Sequence, residues 1–404
     1  MHFFLFRKAI RKLPGDVIRE VPLPEPELTD GFGSREQTGR ICKDLGARSV
    51  LVVTDRNIHG LGFHEKILAS LRDSGIPFTV FSEIDSEPTI GIIQAGRKAA
   101  LEAGADCVVA LGGGSVMDAS KVIAASARNP RRSIRWHLQK FDFVRGRTLP
   151  IVSIPTTAGT GAEYTVGAVV KNARGVKHST VIIGLNVQHV ILDSELMVNA
   201  PAHVTVWCGI DALSHGLEGL LADVRSEGED IRKSRECVRM VLENLPRVLE
   251  NPKDIEARQK MSLAAYYGGN AINRQLAGYV HAFAHSIGAL YHIPHGKAIA
   301  WCLVPVVEAR KHKCLDPLWS LAVWCGIAPR EDAPEAAADK MIAALRQLLE
   351  RCGLEKTCVE LQEKDYPQLV RMIDADSINY SPSKTFSDRE ITRLLDVIRK
   401  GADA

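Results

Sequence analysis

An apolar run, Cys107 to Leu111, breaks into three glycines, Gly112 to Gly114, and resumes at Val116 with helical spacing. A strand that turns on consecutive glycines into a helix brings its backbone close to a ligand, and the free N–H groups of the first helical turn favour an anion. This stretch restricts the chain to folds containing a strand–turn–helix unit, with a diphosphate as the expected occupant of the turn. A capping box, Ser115 with Asp118, is expected at the same helix start.

The surrounding sequence repeats the pattern. "SVLVVTD" (Ser49 to Asp55), "FTVFSEI" and "LPIVSIPTTAGTG" read as strands, and "HEKILASLRDSG" and "IIQAGRKAALEAGA" as helices between them. Strand–helix alternation at this rhythm predicts a mostly parallel sheet covered on both faces. From Pro201 onward the pattern changes. "VTVWCGIDALSHGLEGLLAD", "DIRKSRECVRMVLENLPRVLE" and "IEARQKMSLAAYYGGNAIN" have 3.6-residue periodicity, and strand-like runs become scarce. Asn199 and Pro201 mark the break. The expected fold is an α/β N-terminal nucleotide-binding domain, residues 1–198, followed by an all-helical C-terminal domain, residues 199–404.

Composition narrows the function. A chain of 404 residues accommodates two domains and a large core. The formal net charge of +3 has no long block of Lys and Arg behind it, so nucleic acid is not the expected partner. Nine scattered cysteines, with no C-x-x-C pair, point to reduced thiols in a cytoplasm. No apolar run has the length of a membrane span. The N-terminal "MHFFLFRKAIRKLPGD" is apolar and then basic, the reverse of a signal peptide, and reads as a leading segment docked on its own domain.

Two further features carry chemistry. The loop "PTTAGTGAEYT" offers hydroxyls at Thr156, Thr157, Thr160 and Thr165 as it leaves the C-terminal end of a strand, where open α/β sheets keep their ligands. Asp55, at the end of its own strand, has the chemistry to accept hydrogen bonds from a ribose and to repel a 2′-phosphate, although it precedes the glycine turn. In the second half, "YVHAFAHSIGALYHIPHG" holds four histidines in eighteen residues. His281 and His285 stand one helical turn apart, as do Asp211 and His215 upstream, so each pair shares a helix face. With His295 on a loop, these groups can close around one divalent cation, and imidazole with carboxylate suits Fe(II) or Zn(II) better than magnesium or calcium. Spacing alone leaves open whether His285 or His295 completes the shell. His2, His64, His137 and His312 are expected to be structural or surface residues.

The chain resembles the iron-containing (group III) alcohol dehydrogenases over nearly its whole length. "GFGS" (Gly31 to Ser34), "VVTD" (Val52 to Asp55), "GGGSVMDASK", "IPTTAGTGAE", "GIDALSHGLE", "GYVHAFAHSIGALYHIPHG" and "NYSP" (Asn379 to Pro382) occur in that family's order. The resemblance implies Asp211, His215, His281 and His295 as metal ligands, with His285 near the nicotinamide and substrate as the catalytic imidazole. It implies Gly113, Gly114 and Ser115 at the cofactor diphosphate and Asp118 near the nicotinamide half. Thr156, Thr157, Thr160 and Thr165 would lie on the adenosine and ribose side, with Lys177 reaching a ribose hydroxyl. Asp55 occupies the position the family uses to prefer NAD over NADP. The implied fold is the architecture shared with dehydroquinate synthase, with a cleft between domains. The implied activity is hydride transfer between NAD(H) and a primary alcohol or aldehyde, with Fe(II) or else Zn(II) polarising the oxygen, in a cytoplasmic homodimer.

Three departures from the family pattern matter. Ser286 follows His285, Glu87 precedes Pro88 in place of the more usual Asn, and "NRQLAGYVH" carries Arg274 seven residues before His281. A continuous helix would put Arg274 on the face of His281, where it would suit a substrate bearing a carboxylate, phosphate or phosphonate. That gives the alternatives: a hydroxyacid or phosphonate-aldehyde dehydrogenase, a hydroxyacid–oxoacid transhydrogenase, and, more remotely, a dehydroquinate synthase-like lyase, for which Arg274 and Lys297 are too few cations.

Overall fold

The computed structural model describes residues 25–84, 88–138, 141–143, 148–172, 177–222, 228–377 and 386–401, with 141–143, 177–179 and 183 described by their backbone alone. The N-terminal segment, Glu87 and the "NYSP" motif lie outside the described residues. The chain divides into two compact units. One comprises Leu23–Ala200 with Lys253–Gly269, and the other includes Pro201–Pro252 and Asn270–Ala404. The sequence places one boundary at 198/199; the structure divides near that point and also assigns 253–269 to the first unit.

Among its described residues the first unit has nine strands: β1 (Glu27–Asp30), β2 (Val50–Asp55), β3 (Phe78–Ile84), β4 (Cys107–Gly112), β5 (Phe141–Phe143), β6 (Ile151–Pro155), β7 (Gly167–Lys171), β8 (Lys177–Ile183) and β9 (Val187–Leu192). Six form a wholly parallel sheet in the order β1-β9-β6-β4-β2-β3. The other three form a small sheet, β5-β8-β7, in which β7 and β8 are antiparallel. Alternation along the strands explains the layers. Leu51, Val53, Val108 and Ala110 enter one buried cluster, while Val50, Val52, Val109 and Leu111 enter another. Helices α4 (Ile90–Glu102) and α5 (Gly114–Arg128) supply Ile93, Val122 and Ile123 to the first. Helices α1 (Thr38–Asp44) and α3 (Glu65–Asp73) supply Ile41, Ile67 and Leu71 to the second. Short helices α2 (Arg56–Gly60) and α6 (Ile134–His137) complete the unit up to Ala200.

Strand order reverses at β2 and β4. From β2 the chain moves outward to β3, then returns to place β4 on the other side of β2 and continues to β6. Such a reversal leaves a crevice at the carboxyl ends of the strands, where open α/β sheets bind ligands. The register pairs Thr54 with Leu111 and Gly112 with Pro155. Asp55, the glycine turn and the threonine loop therefore leave three adjacent strands at the same end, which the order of the motifs along the chain does not reveal.

The second unit is helical. It contains α7 (Ala202–Leu221), α8 (Glu229–Glu250), the end of α9 (Ile255–Gln275), α10 (Tyr279–Tyr291), α11 (His295–Arg310), α12 (Leu315–Trp324), α13 (Pro334–Arg351), α14 (Tyr366–Ser377) and α15 (Asp388–Lys400). From Gly209 to Leu221, α7 is buried all round, so even its polar residues need partners within the protein. No helix among the described residues is long and apolar enough to cross a membrane.

Candidate functional site

Asp211 and His215 sit one turn apart on α7, His281 lies in the first turn of α10, and His295 opens α11. One carboxylate oxygen is their meeting point. Asp211 Oδ1 is 3.5 Å from His215 Nε2, 3.5 Å from His281 Nε2 and 3.2 Å from His295 Nε2. The rings of His215 and His281 stack with centroids 4.7 Å apart. The tightest set is Asp211, His281 and His295, whose ligand atoms all lie within 4.8 Å of one another. Asp211 and His281 are buried, and Asp211 Oδ1 and His281 Nε2 have no hydrogen-bond partner among the described residues. Nitrogen and oxygen atoms gathered in this way need positive charge between them, and the donor set is that of an iron or zinc site. The residues fit a divalent metal.

The electrostatics follow from burial and crowding. Burial alone would raise the Asp211 carboxyl, but the imidazoles of His215, His295 and His281 hold it well below the usual range. Burial pushes His215 down to about 4, with its neighbouring imidazoles adding to the effect. His281 goes the other way. Burial opposes its protonation, yet Glu218 and Asp211 raise it to about 10.

Local packing explains two of the motifs. A methyl group on Gly296 would lie 2.5 Å from the Trp207 carbonyl of α7, so only glycine after His295 lets α11 start against α7. Glu218, seven residues along α7 from Asp211, turns inward. Its Oε1 accepts from the Val280 N–H at 2.6 Å, and its Oε2 is hydrogen-bonded to His281 Nδ1. Nothing in the sequence marks Glu218 except its i+7 relation to Asp211.

His285 lies beside this cluster. Its ring centroid is 5.0 Å from that of His295 and 5.6 Å from that of His281, and its Nδ1 is 3.1 Å from Asp376 Oδ2 on α14. His295, and not His285, thus supplies the nitrogen 3.2 Å from Asp211. Asp376 is a second residue that the sequence does not reveal. The expected alignment of Arg274 with His281 fails. Helix α9 ends at Gln275, Leu276 adopts a left-handed backbone (φ 68°), and α10 begins afresh at Tyr279. Arg274 and His281 are therefore on different helices, and the same-face argument for an anionic substrate no longer holds.

In the first unit, Asp55 caps α2 by accepting from the Ile58 N–H at 2.9 Å. Helix α5 begins at Gly114 with Gly113 as its N-cap and no side-chain cap. The expected capping box is absent because the helix starts at Gly114 and Ser115 lies inside it; the Asp118 carboxylate is used elsewhere, Oδ2 accepting from the Val169 N–H at 2.9 Å and Oδ1 lying 3.4 Å from Lys121 Nζ. The start of α5 keeps its first amides available, and Gly113, Gly114 and Ser115 are half-buried. A methyl group on Gly114 would lie 3.1 Å from Thr160 Cγ2, and one on Gly113 3.5 Å from Thr157 Oγ1, so the glycine turn lies against the threonine loop. Thr156 is buried, its N–H donating to the Gly112 carbonyl. Thr165 accepts from Lys121 Nζ at 3.1 Å. The Lys177 side chain lies outside the described residues. An uncapped helix start beside a glycine turn at the sheet's reversal point fits a dinucleotide diphosphate.

Burial raises the Asp118 carboxyl and lowers the Lys121 ammonium, each partly offset by the other. Glu163, in the threonine loop, is buried with Oε1 unpartnered among the described residues, and burial raises it to about 7.

A parallel sheet with a glycine turn at its reversal point, together with a helical unit holding an imidazole–carboxylate cluster, fits the class of oxidoreductases that pair a dinucleotide with a divalent metal. Family models give the lineage. Residues 26–194 match "iron-containing alcohol dehydrogenase" and residues 205–398 match "Fe-containing alcohol dehydrogenase family, C-terminal", and the chain belongs to that family. It is 32% identical to alcohol dehydrogenase 4 of Schizosaccharomyces pombe, over 84% of this chain and 80% of that protein. It is 29% identical to the NAD-dependent methanol dehydrogenase of Bacillus methanolicus, over 92% of this chain and 97% of the other. Among solved structures, a 1,3-propanediol oxidoreductase superposes with a TM-score of 0.87 at 27% identity, covering 94% of this chain and 99% of that one.

Proposed function

We propose that this chain exchanges a hydride between NAD(H) and a primary alcohol or its aldehyde, using a divalent metal, Fe(II) or alternatively Zn(II), held by Asp211, His215, His281 and His295. The observation that carries the reading is the convergence of three imidazole nitrogens on Asp211 Oδ1. Relatives named as methanol and 1,3-propanediol dehydrogenases support a small primary alcohol.

When bound, the metal supplies Lewis acidity to the substrate oxygen and the nicotinamide supplies or takes up the hydride. The chain's own residues do the rest. Gly113, Gly114 and Ser115 offer amides to the diphosphate, and Thr156, Thr157, Thr160 and Thr165 line the adenosine side. Asp118 and Lys177 stand further along the cofactor. Asp55 keeps its second carboxylate oxygen for a ribose hydroxyl and disfavours a 2′-phosphate, and on this reading the site takes NAD in preference to NADP. His285 takes the alcohol proton, or returns it, with Asp376 holding Nδ1 so that Nε2 is the exchanging atom. The enzyme is proposed to work in the cytoplasm as a homodimer.

The test is NADH consumption by protein stripped of metal and reloaded anaerobically with Fe(II) or Zn(II), offered neutral aldehydes and matched aldehydes bearing a carboxylate or phosphonate. Metal-dependent turnover favouring the neutral series supports the reading. A strong preference for the anionic series, or no turnover at all, overturns it.

A further inference from the structure

Glu218 is a buried acid, 5% exposed, in a helix that is buried all round from Gly209 to Leu221, and nothing in the hydride chemistry consumes it. Its two oxygens do different jobs. Oε1 takes the Val280 N–H in the first turn of α10, and Oε2 takes Nδ1 of the very next residue, His281. An ionised carboxylate only accepts, so Nδ1 carries a proton, and the nitrogen that can give its proton up to a metal is Nε2, which faces Asp211 Oδ1 at 3.5 Å. The local backbone is shaped for this contact. Leu276 breaks α9 with its left-handed turn, and Gly278 follows as the N-cap of α10. A methyl group on Gly278 would lie 2.6 Å from Glu218 Oε1, so any larger residue there would push the carboxylate away.

We infer that Glu218 is a positioning residue of the metal centre: by bridging the start of α10 and His281 Nδ1, it imposes the one imidazole tautomer that leaves Nε2 free to ligate, and Gly278 makes room for it. This rests on the proposed metal site and adds to it the residue that sets metal affinity. A glutamine at 218 cannot replace it. If the amide oxygen accepts from Val280, the amide N–H₂ faces His281 Nδ1 and drives the ring proton onto Nε2, where it blocks ligation. If the amide is flipped, N–H₂ opposes the Val280 N–H.

The experiment is chelator competition with Zn(II) on full-length wild type, Glu218→Gln and Gly278→Ala, together with ¹⁵N NMR of the Zn(II)-loaded proteins labelled at histidine. Loss of an outer partner of a ligating histidine weakens metal binding by about 10–100-fold. That loss is expected in Glu218→Gln, with His281 losing the Nδ1–H, Nε2-bound signature of the loaded wild type, and a loss in the same direction in Gly278→Ala, which keeps the carboxylate but displaces it. A merely structural role would lower the melting temperature of the metal-free protein without altering the tautomer. Wild-type affinity in either folded variant, or an unchanged tautomer in Glu218→Gln, overturns the inference. A wild-type chain that takes up no Zn(II) overturns the proposed metal site itself, and this inference with it.

Discussion

Lys121 Nζ, on the buried side of α5, donates to the carbonyl of Gly167 at 2.6 Å. The same ammonium reaches Thr165 Oγ1 at 3.1 Å and faces Asp118 Oδ1 at 3.4 Å. Asp118 in turn takes the Val169 N–H, so one buried cation ties the helix that opens at the glycine turn to the start of β7, just beyond the threonine loop. The two segments proposed to hold the cofactor are thus joined through Lys121, which is not itself among the residues proposed to touch it.

Lys121→Met removes this tie and leaves Asp118 buried without its cation. Breaking a buried ion pair from one side costs about 3–5 kcal/mol, and the partial exposure of Asp118 places this case near the lower end. The urea midpoint is expected to fall accordingly; a shift too small to measure would mean that the network carries no stability.

Glu163 gives the fold a pH signature. Its carboxyl is raised by burial from 4.5 to about 7, so the folded chain holds the proton more tightly than the unfolded one. The associated stability is complete below about pH 4.5 and is lost as the pH rises through 7. At about 1.4 kcal/mol per unit, the loss is on the order of 3 kcal/mol. Glu163→Gln mimics the protonated form and removes this dependence. Unfolding free energies at pH 5 and pH 8 should therefore converge in the variant relative to wild type, and parallel pH dependences in the two proteins would refute the assignment.

What the sequence reveals and what it hides divide along physical lines. Strands β2, β4 and β6 are buried on both faces and read as largely apolar runs, and the long helices of the second half show their period directly. β1 is a four-residue, largely exposed edge strand with polar ends, and it carries no such pattern. The break at Leu276 hides inside a stretch with helical composition, because a left-handed leucine has no sequence signal of its own. The candidate ligands announce themselves by spacing. Glu218 and Asp376 do not, because a helical carboxylate looks like a solvated face until another helix packs against it. The nearness of Asp55 to the glycine turn depends on the pairing of β2 with β4, a long-range fact.

Asp211→Ala and His281→Ala should each abolish stoichiometric metal after dialysis, as measured by metal analysis, with turnover falling to the level of metal-stripped wild type. Either variant retaining a full equivalent of metal would remove the proposed ligand set.

His285 and Asp376 make a separable prediction. Positioned proton transfer contributes about 10²–10⁴-fold to a rate, so His285→Ala should lose kcat within that range while metal content stays intact. Asp376→Asn leaves the imidazole present but poorly held, and its loss should be smaller, about tenfold, falling on kcat rather than on KM for NAD. Equal losses in the two variants would show that Asp376 does more than orient His285.

Cofactor choice turns on Asp55, and the substitution must keep its structural task. The carboxylate caps α2 through the Ile58 N–H, and replacing such a cap with alanine costs about 1 kcal/mol, which would confuse stability with specificity. An asparagine at this position would still cap the helix, because an amide oxygen accepts the same bond, while its neutral side chain no longer repels a 2′-phosphate. Asp55→Asn should therefore raise kcat/KM for NADPH relative to NADH by an order of tenfold, or about 1.4 kcal/mol, at an unchanged melting temperature. An unchanged ratio would mean that Asp55 serves only as a helix cap and that cofactor choice is set by other residues.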